Sequence, residues 1–185
     1  MPFILETIVI TQDRNGVPNF APMGVTFEQD PIFLRPYKET ATYVNLVATG
    51  QAVVNLTDNV LLFAEGAVGR PEFPSFPAER VNGLVLKDAC TYYECTVRGM
   101  EAEGERARFA CAVVKKGVLR EFVGFNRAKS AVIEAAILAT RIRFLGRESI
   151  LNDFTRLREI VHKTGGEQEH TAFQYLFEYV SGSHG

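Results

Sequence analysis

At Asn126 the hydrophobic pattern of this chain changes period, and that change limits the folds open to it. Upstream, apolar residues alternate or gather in short runs broken by glycine, proline and asparagine, as in β-strands joined by turns. Downstream they recur at helical spacing. Residues 127–145 are apolar nearly all round, with Ala131, Val132, Ile133, Ala135, Ala136, Ile137, Leu138 and Ala139 almost unbroken. A helix without a polar face is buried, in a core or between subunits. A second helix, over 148–163, carries a stripe at Ile150, Phe154, Leu157 and Val161 and stops at Gly165 and Gly166. A third, over 168–180, offers Phe173, Leu176, Phe177 and Val180. The expectation is an α+β protein, a β-barrel over residues 1–125 followed by a three-helix appendix over 126–185.

Within the β half, strands are expected over 3–11 and 17–27, joined at Asn15-Gly16, a strong hairpin signal. Pro18 and Pro22 cannot donate to a ladder, so the second strand is expected to be bulged or at an edge. A short strand follows over 32–35. Thr40 as N-cap and Gly50 as stop delimit a helix whose apolar face is Val44, Val47 and Ala48. A strand over 51–57 and a short helix over 58–65 come next. The three prolines and two phenylalanines of residues 69–77 read as a semi-rigid loop. Two long strands, 89–102 and 106–115, flank Gly104.

The formal net charge of −2 lacks the basic excess of a general nucleic-acid binder. No run reaches the roughly 18 apolar residues of a membrane span, and the N-terminus has no basic leader pattern, so a cytoplasmic location is expected. Cys90, Cys95 and Cys111 form no disulfide framework, and C-x4-C without a second pair is no zinc motif. They read as buried inert thiols. His162, His170 and His184 build no hydrolytic constellation, and no P-loop, G-x-G-x-x-G, H-E-x-x-H or G-x-S-x-G is present. A cofactor would have to bring the chemistry.

Three stretches stand out. In Asn19-Phe20-Ala21-Pro22-Met23-Gly24-Val25, the proline and glycine mark either a barrel corner or a close approach by a ligand. Arg35, Lys38, Thr40 and Thr42 converge on a helix start, where free amides and the helix dipole favour a phosphate; the alternative is a solvated loop with an ordinary threonine cap. Asn126 caps the next helix, yet Arg127 and Lys129 place positive charge in its first turn, which costs roughly 0.3–1 kcal/mol each. Either an anion lies nearby, or the chains bend into solvent or meet a carboxylate such as Glu121.

The opening Glu6-Thr7-Ile8-Val9-Ile10-Thr11, with Gly16-x-Pro18-Asn19-x-Ala21-Pro22-Met23-Gly24-Val25, resembles the DUF447 family. Asn126-Arg127-Ala128-Lys129-x-Ala131-Val132-Ile133-Glu134 resembles that family's signature, and Thr40-x-Thr42-x-x-Asn45 followed by Gly50-x-x-Val53-Val54-Asn55 is similar to the helix-then-strand segment of flavin-reductase-like proteins. The resemblance implies an FMN-binding split β-barrel, akin to flavin reductases and pyridoxamine-phosphate oxidases, and a homodimer with flavin at the interface. It implies that the backbone of Pro22, Met23, Gly24 and Val25 lies against the isoalloxazine ring. Arg35, Lys38, Thr40 and Thr42 would meet the phosphate, and Asn45 the ring edge or ribityl chain. Asn126, Arg127 and Lys129 would serve a flavin bound mostly by the partner.

The function expected on that basis is an FMN-dependent oxidoreductase, with NADH, NADPH, a deazaflavin or a pterin-type molecule as the other reactant. No side chain is assigned as acid or base. A flavin carrier or sensor without turnover is the alternative. A barrel that has lost flavin and binds another planar ligand, such as haem, is a third reading, and no well-placed axial histidine supports it.

Overall fold

The computed structural model of the protein describes residues 3–27 and 30–182. Strands β1 (Ile4–Gln12) and β2 (Pro18–Thr26) form a hairpin in unbroken register from Ile4↔Thr26 to Gln12↔Pro18. Its loop is longer than a two-residue turn. The Asp13 carboxylate accepts from the Asn15 and Val17 amides, and Gly16 takes the left-handed conformation (φ +83°). β3 (Ile32–Leu34), helix α1 (Ala41–Thr49) and β4 (Gln51–Leu56) follow. Helix α2 (Val60–Val68) and the short strands β5 (Ser75–Pro77) and β6 (Leu84–Leu86) precede the long pair β7 (Thr91–Glu103) and β8 (Arg106–Val118). Six strands close a barrel in the order β1-β2-β3-β8-β7-β4.

That closure is incomplete along one strand. β2 meets β3 only at Thr26↔Phe33, so residues 18–25 have β1 on one side and no strand on the other among the described residues. The prolines of β2 therefore sit on an edge without a bulge, where a missing N–H costs no ladder bond. Inside the barrel, Val9, Val25, Leu34, Val54, Cys95, Phe109 and Cys111 form the core.

Helix α1 has the expected caps. The Thr40 side chain accepts from the Tyr43 amide, and Gly50 closes the helix in the left-handed region. Its buried face differs from the one expected: Val44 and Val47 are 56% and 58% exposed, while Thr42, Asn45 and Leu46 are buried. Leu46 enters the barrel core and Tyr43 packs edge-on against Phe109. The polar side turns inward because Thr42 and Asn45 find hydrogen-bond partners on β1 and β2.

The segment read as a loop over 69–77 contains β5, which pairs with β6. This excursion hangs on side chains of the barrel: Asn55 Oδ1 accepts from the Leu86 amide, and buried Glu94 accepts from the amides of Glu79, Arg80 and Val81.

The remaining helices are α3 (Arg127–Thr140), α4 (Ile142–Leu145), α5 (Arg147–Thr164) and α6 (Glu167–Ser181). The helix expected over 127–145 is broken at Arg141, which leaves helical geometry with ψ near 12°. The chain divides into two units, residues 3–57 with 72–122, and residues 58–71 with 123–182. Thus α2 belongs with the C-terminal helices. Val60 and Ala64 share one core with Ala131, Ala135, Ile150, Phe154, Phe173 and Leu176. The stripe on α5 is the expected one; on α6, Phe173, Leu176 and Val180 are buried as expected, Phe177 is only half-buried, and Glu169 and Ala172 join the buried face. No helix among the described residues is long and apolar enough to cross a membrane.

Candidate functional site

In the barrel unit, α1 is joined to the β1–β2 hairpin through one rung of the ladder. Thr11 and Asn19 are register partners. Asn19 Nδ2 donates to Thr42 Oγ1 at 3.1 Å, and Asn45 Nδ2 donates to Thr11 Oγ1 at 3.1 Å. Residues three apart on a helix share a face, so Thr42 and Asn45 grip the two strands side by side. The start of α1 is thereby tied to the first residues of the β2 edge. Asn19 and Thr11 were not among the expected site residues; their signal is a polar side chain on the barrel-lining face of a strand.

The N-terminus of α1 is rich in donors. Thr40 Oγ1 accepts from the Tyr43 amide and the Thr40 carbonyl from that of Val44. This leaves the Ala41 and Thr42 amides of the first turn without an intrahelical acceptor. The Thr42 hydroxyl is buried, accepts from Asn19, and has no acceptor for its own hydrogen among the described residues.

Arg35 and Lys38 lead into this helix and are held by the β7–β8 turn. The Arg35 guanidinium pairs with Glu103 at 2.9 Å, but its Nε is buried without a hydrogen-bond partner among the described residues. Lys38 Nζ donates to the Gly104 carbonyl at 2.7 Å, a neutral acceptor, and makes no ion pair among the described residues. Tyr37 lies under the Arg106 guanidinium, 4.0 Å from ring centroid to carbon, and its hydroxyl accepts from Arg106.

On β2, Pro22, Met23 and Gly24 are partly buried, while the Val25 side chain belongs to the barrel core. Thr7 Oγ1 donates to the Met23 carbonyl at 2.9 Å. A Cβ at Gly24 would fall 2.8 Å from Ile4 Cγ2 on the facing strand.

In the helical unit, Asn126 caps α3. Its Oδ1 accepts from the Ala128 and Lys129 amides, and its Nδ2 donates to the Thr164 carbonyl. Lys129 Nζ meets Glu169 at 2.8 Å and the Asp58 carbonyl at 2.7 Å. The Lys129 charge is thus matched by a carboxylate, Glu169, forty residues on and not Glu121. Burial alone would raise the Glu169 carboxyl, but the Lys129 hydrogen bond and the Gly166 amide outweigh it and hold the group below the usual range. Arg127 is exposed. His162 and His170 are exposed with ring centroids 6.3 Å apart, and His184 lies outside the described residues. No group of three or more metal-ligating side chains occurs among the described residues.

Among solved structures, an FMN-bound protein from Methanosarcina mazei matches with a TM-score of 0.84 at 23% identity, over 97% of this chain and 96% of that one. An FMN-binding protein from Thermus thermophilus with bound 1-cyclohex-2-enone matches over 64% of this chain and 72% of its own, at 16% identity and a TM-score of 0.53. The flavin reductase HpaC complexed with NADP+ matches over 68% and 85%, at 17% identity and a TM-score of 0.53. The fold is therefore the α+β split barrel. Residues 5–120 match the model described as the N-terminal domain of protein of unknown function DUF447 and residues 126–178 match its C-terminal counterpart, so the chain belongs to the DUF447 family.

Proposed function

We propose that this protein binds FMN and acts as a flavin-dependent oxidoreductase, working in the cytoplasm as a homodimer with its flavins at the subunit interface. The observation that carries the reading is the donor-rich stretch from Arg35 to Thr42. Buried Arg35 Nε, the Thr42 hydroxyl hydrogen and the first amides of α1 are donors without protein acceptors among the described residues. Buried donors demand partners, and a phosphate at a helix N-terminus supplies several acceptor oxygens. The Lys38 ammonium, without an ion pair among the described residues, suits a dianion. The fold's near full-length match to an FMN-bound protein supports FMN as the source of that phosphate.

In this reading Thr40 and Thr42 flank the phosphate. Asn45, whose amide is engaged by Thr11, keeps its carbonyl oxygen for a ribityl hydroxyl. The backbone of Pro22 to Val25, along the unpaired edge of β2, borders the ring. Asn126 and Lys129 hold the helical unit together, and exposed Arg127 is the signature residue left to meet a flavin held mostly by the partner subunit. A bound flavin supplies hydride chemistry that no side chain here provides. The chain's own part is to bind, orient and exclude water. NADH, NADPH, a deazaflavin or a pterin-type molecule is the proposed second reactant.

The test is the visible spectrum of protein purified without added flavin, before and after heat release. Flavin bands that pass into the supernatant as FMN support the reading. Colourless protein that stays colourless after incubation with FMN overturns it. Bound FMN that none of these reductants reduces would make the protein a carrier or sensor.

A further inference from the structure

A hydroxyl group has one hydrogen to give and two lone pairs to receive. The neighbour that fills a lone pair therefore decides where the hydrogen is free to go. Thr42 Oγ1 is buried and accepts from Asn19 Nδ2 at 3.1 Å, so its hydrogen remains to be given to another group. Thr42 is the second residue of α1, and its hydroxyl and the amides of Ala41 and Thr42 are all donors at the same helix end. The second bond on the same ladder rung, Asn45 to Thr11, holds the helix in register with Asn19. An acceptor in place of the Asn19 amide would draw the Thr42 hydrogen inward and turn a lone pair toward any anion.

We infer that Asn19 is a positioning residue that sets this site's preference for a phosphorylated flavin over the same flavin without its phosphate. It acts by fixing the Thr42 hydroxyl as a donor at the α1 N-terminus, and it does not itself touch the ligand. The inference rests on the flavin reading above.

The experiment is titration of flavin-free protein with FMN and, separately, with riboflavin, followed by flavin fluorescence. The wild type is expected to bind FMN more tightly. In Asn19→Ala the FMN dissociation constant should rise about three- to ten-fold, because the hydroxyl loses its fixed orientation yet can still donate, which costs less than a whole hydrogen bond to a charged group, while that for riboflavin stays within about two-fold. Asn19→Asp should lose more, because it reverses the hydroxyl and adds a negative charge. Thr42→Val, which keeps the shape and removes the hydroxyl, should reproduce the selective loss and serves if the Asn19 variants do not fold. Equal weakening of both ligands, or of neither, overturns the inference and leaves the flavin reading standing. A wild type that takes up neither flavin overturns both.

Discussion

Lys129 Nζ lies 2.8 Å from Glu169 Oε1, a contact that joins the first turn of α3 to the first turn of α6. The other Glu169 oxygen accepts from the Gly166 amide at 2.8 Å. Removing one partner of a buried pair leaves the other charged and unmatched, which costs about 3–5 kcal/mol. Lys129→Met, which keeps the aliphatic stem, should lower the urea midpoint by a loss toward the low end of that range, since Lys129 is partly exposed. The Glu169 carboxyl is held below its usual range, so its contribution is present above the unfolded-state value of about 4.3 and is lost as pH falls below that. The stability gap between wild type and Glu169→Gln should therefore narrow between pH 6 and pH 3 in urea titrations. A gap that stays constant would contradict the pairing.

Gly117 stands opposite Tyr92 on the β7–β8 ladder, and a Cβ there would fall 2.2 Å from the Tyr92 ring. The ring is buried and packs edge-on against Phe76, so it has little room to withdraw. Gly117→Ala should cost about 1–3 kcal/mol by overpacking. Thermal unfolding measures this, and an unchanged midpoint would mean that the ring moves freely.

Glu94 is fully buried and receives three successive backbone amides from residues 79–81. Glu94→Ala leaves those donors unmet, at about 1–3 kcal/mol for a buried group without a partner. The expected result is a lower melting temperature together with faster hydrogen exchange at Glu79, Arg80 and Val81. Exchange that speeds up equally across the whole barrel would show a general loss of stability in place of a released loop.

Burial pushes the Cys111 thiol up to about 12, and burial together with the neighbouring Cys111 raises that of Cys95 well above the usual thiol range. The thiolate is the reactive form. Neither residue should react with a thiol reagent at pH 8 until the barrel opens, and peptide mapping after timed labelling should show modification only in step with unfolding. Labelling of either residue within seconds in the native protein would count against this.

What the sequence reveals depends on how local the deciding force is. The caps of α1, Thr40 and Gly50, act within a single turn and are readable. The face α1 buries is not, because Thr42 and Asn45 turn inward only when Asn19 and Thr11 arrive from distant strands. Strands β5 and β6 span three residues each and are held by Asn55 and Glu94, which leaves no run of alternation to read. The break after α3 falls at Arg141, where neither glycine nor proline marks it. At the candidate site, the clustering of Arg35, Lys38, Thr40 and Thr42 is sequential and therefore visible. The commitment of Lys129 to Glu169 is a tertiary fact, and from sequence it looks like unbalanced charge.

Helix α2 is encoded between two strands of the barrel, yet Val60 and Ala64 lie in the core of α3, α5 and α6. The two units are interleaved along the chain and are not strung end to end. Cutting the gene at residue 125 would not yield two working halves: the first would carry an oily helix stripped of its cover, and the second would lack one wall. During synthesis the same order means that α2 is made before β7 and β8 but meets its cover only once α3, α5 and α6 have followed.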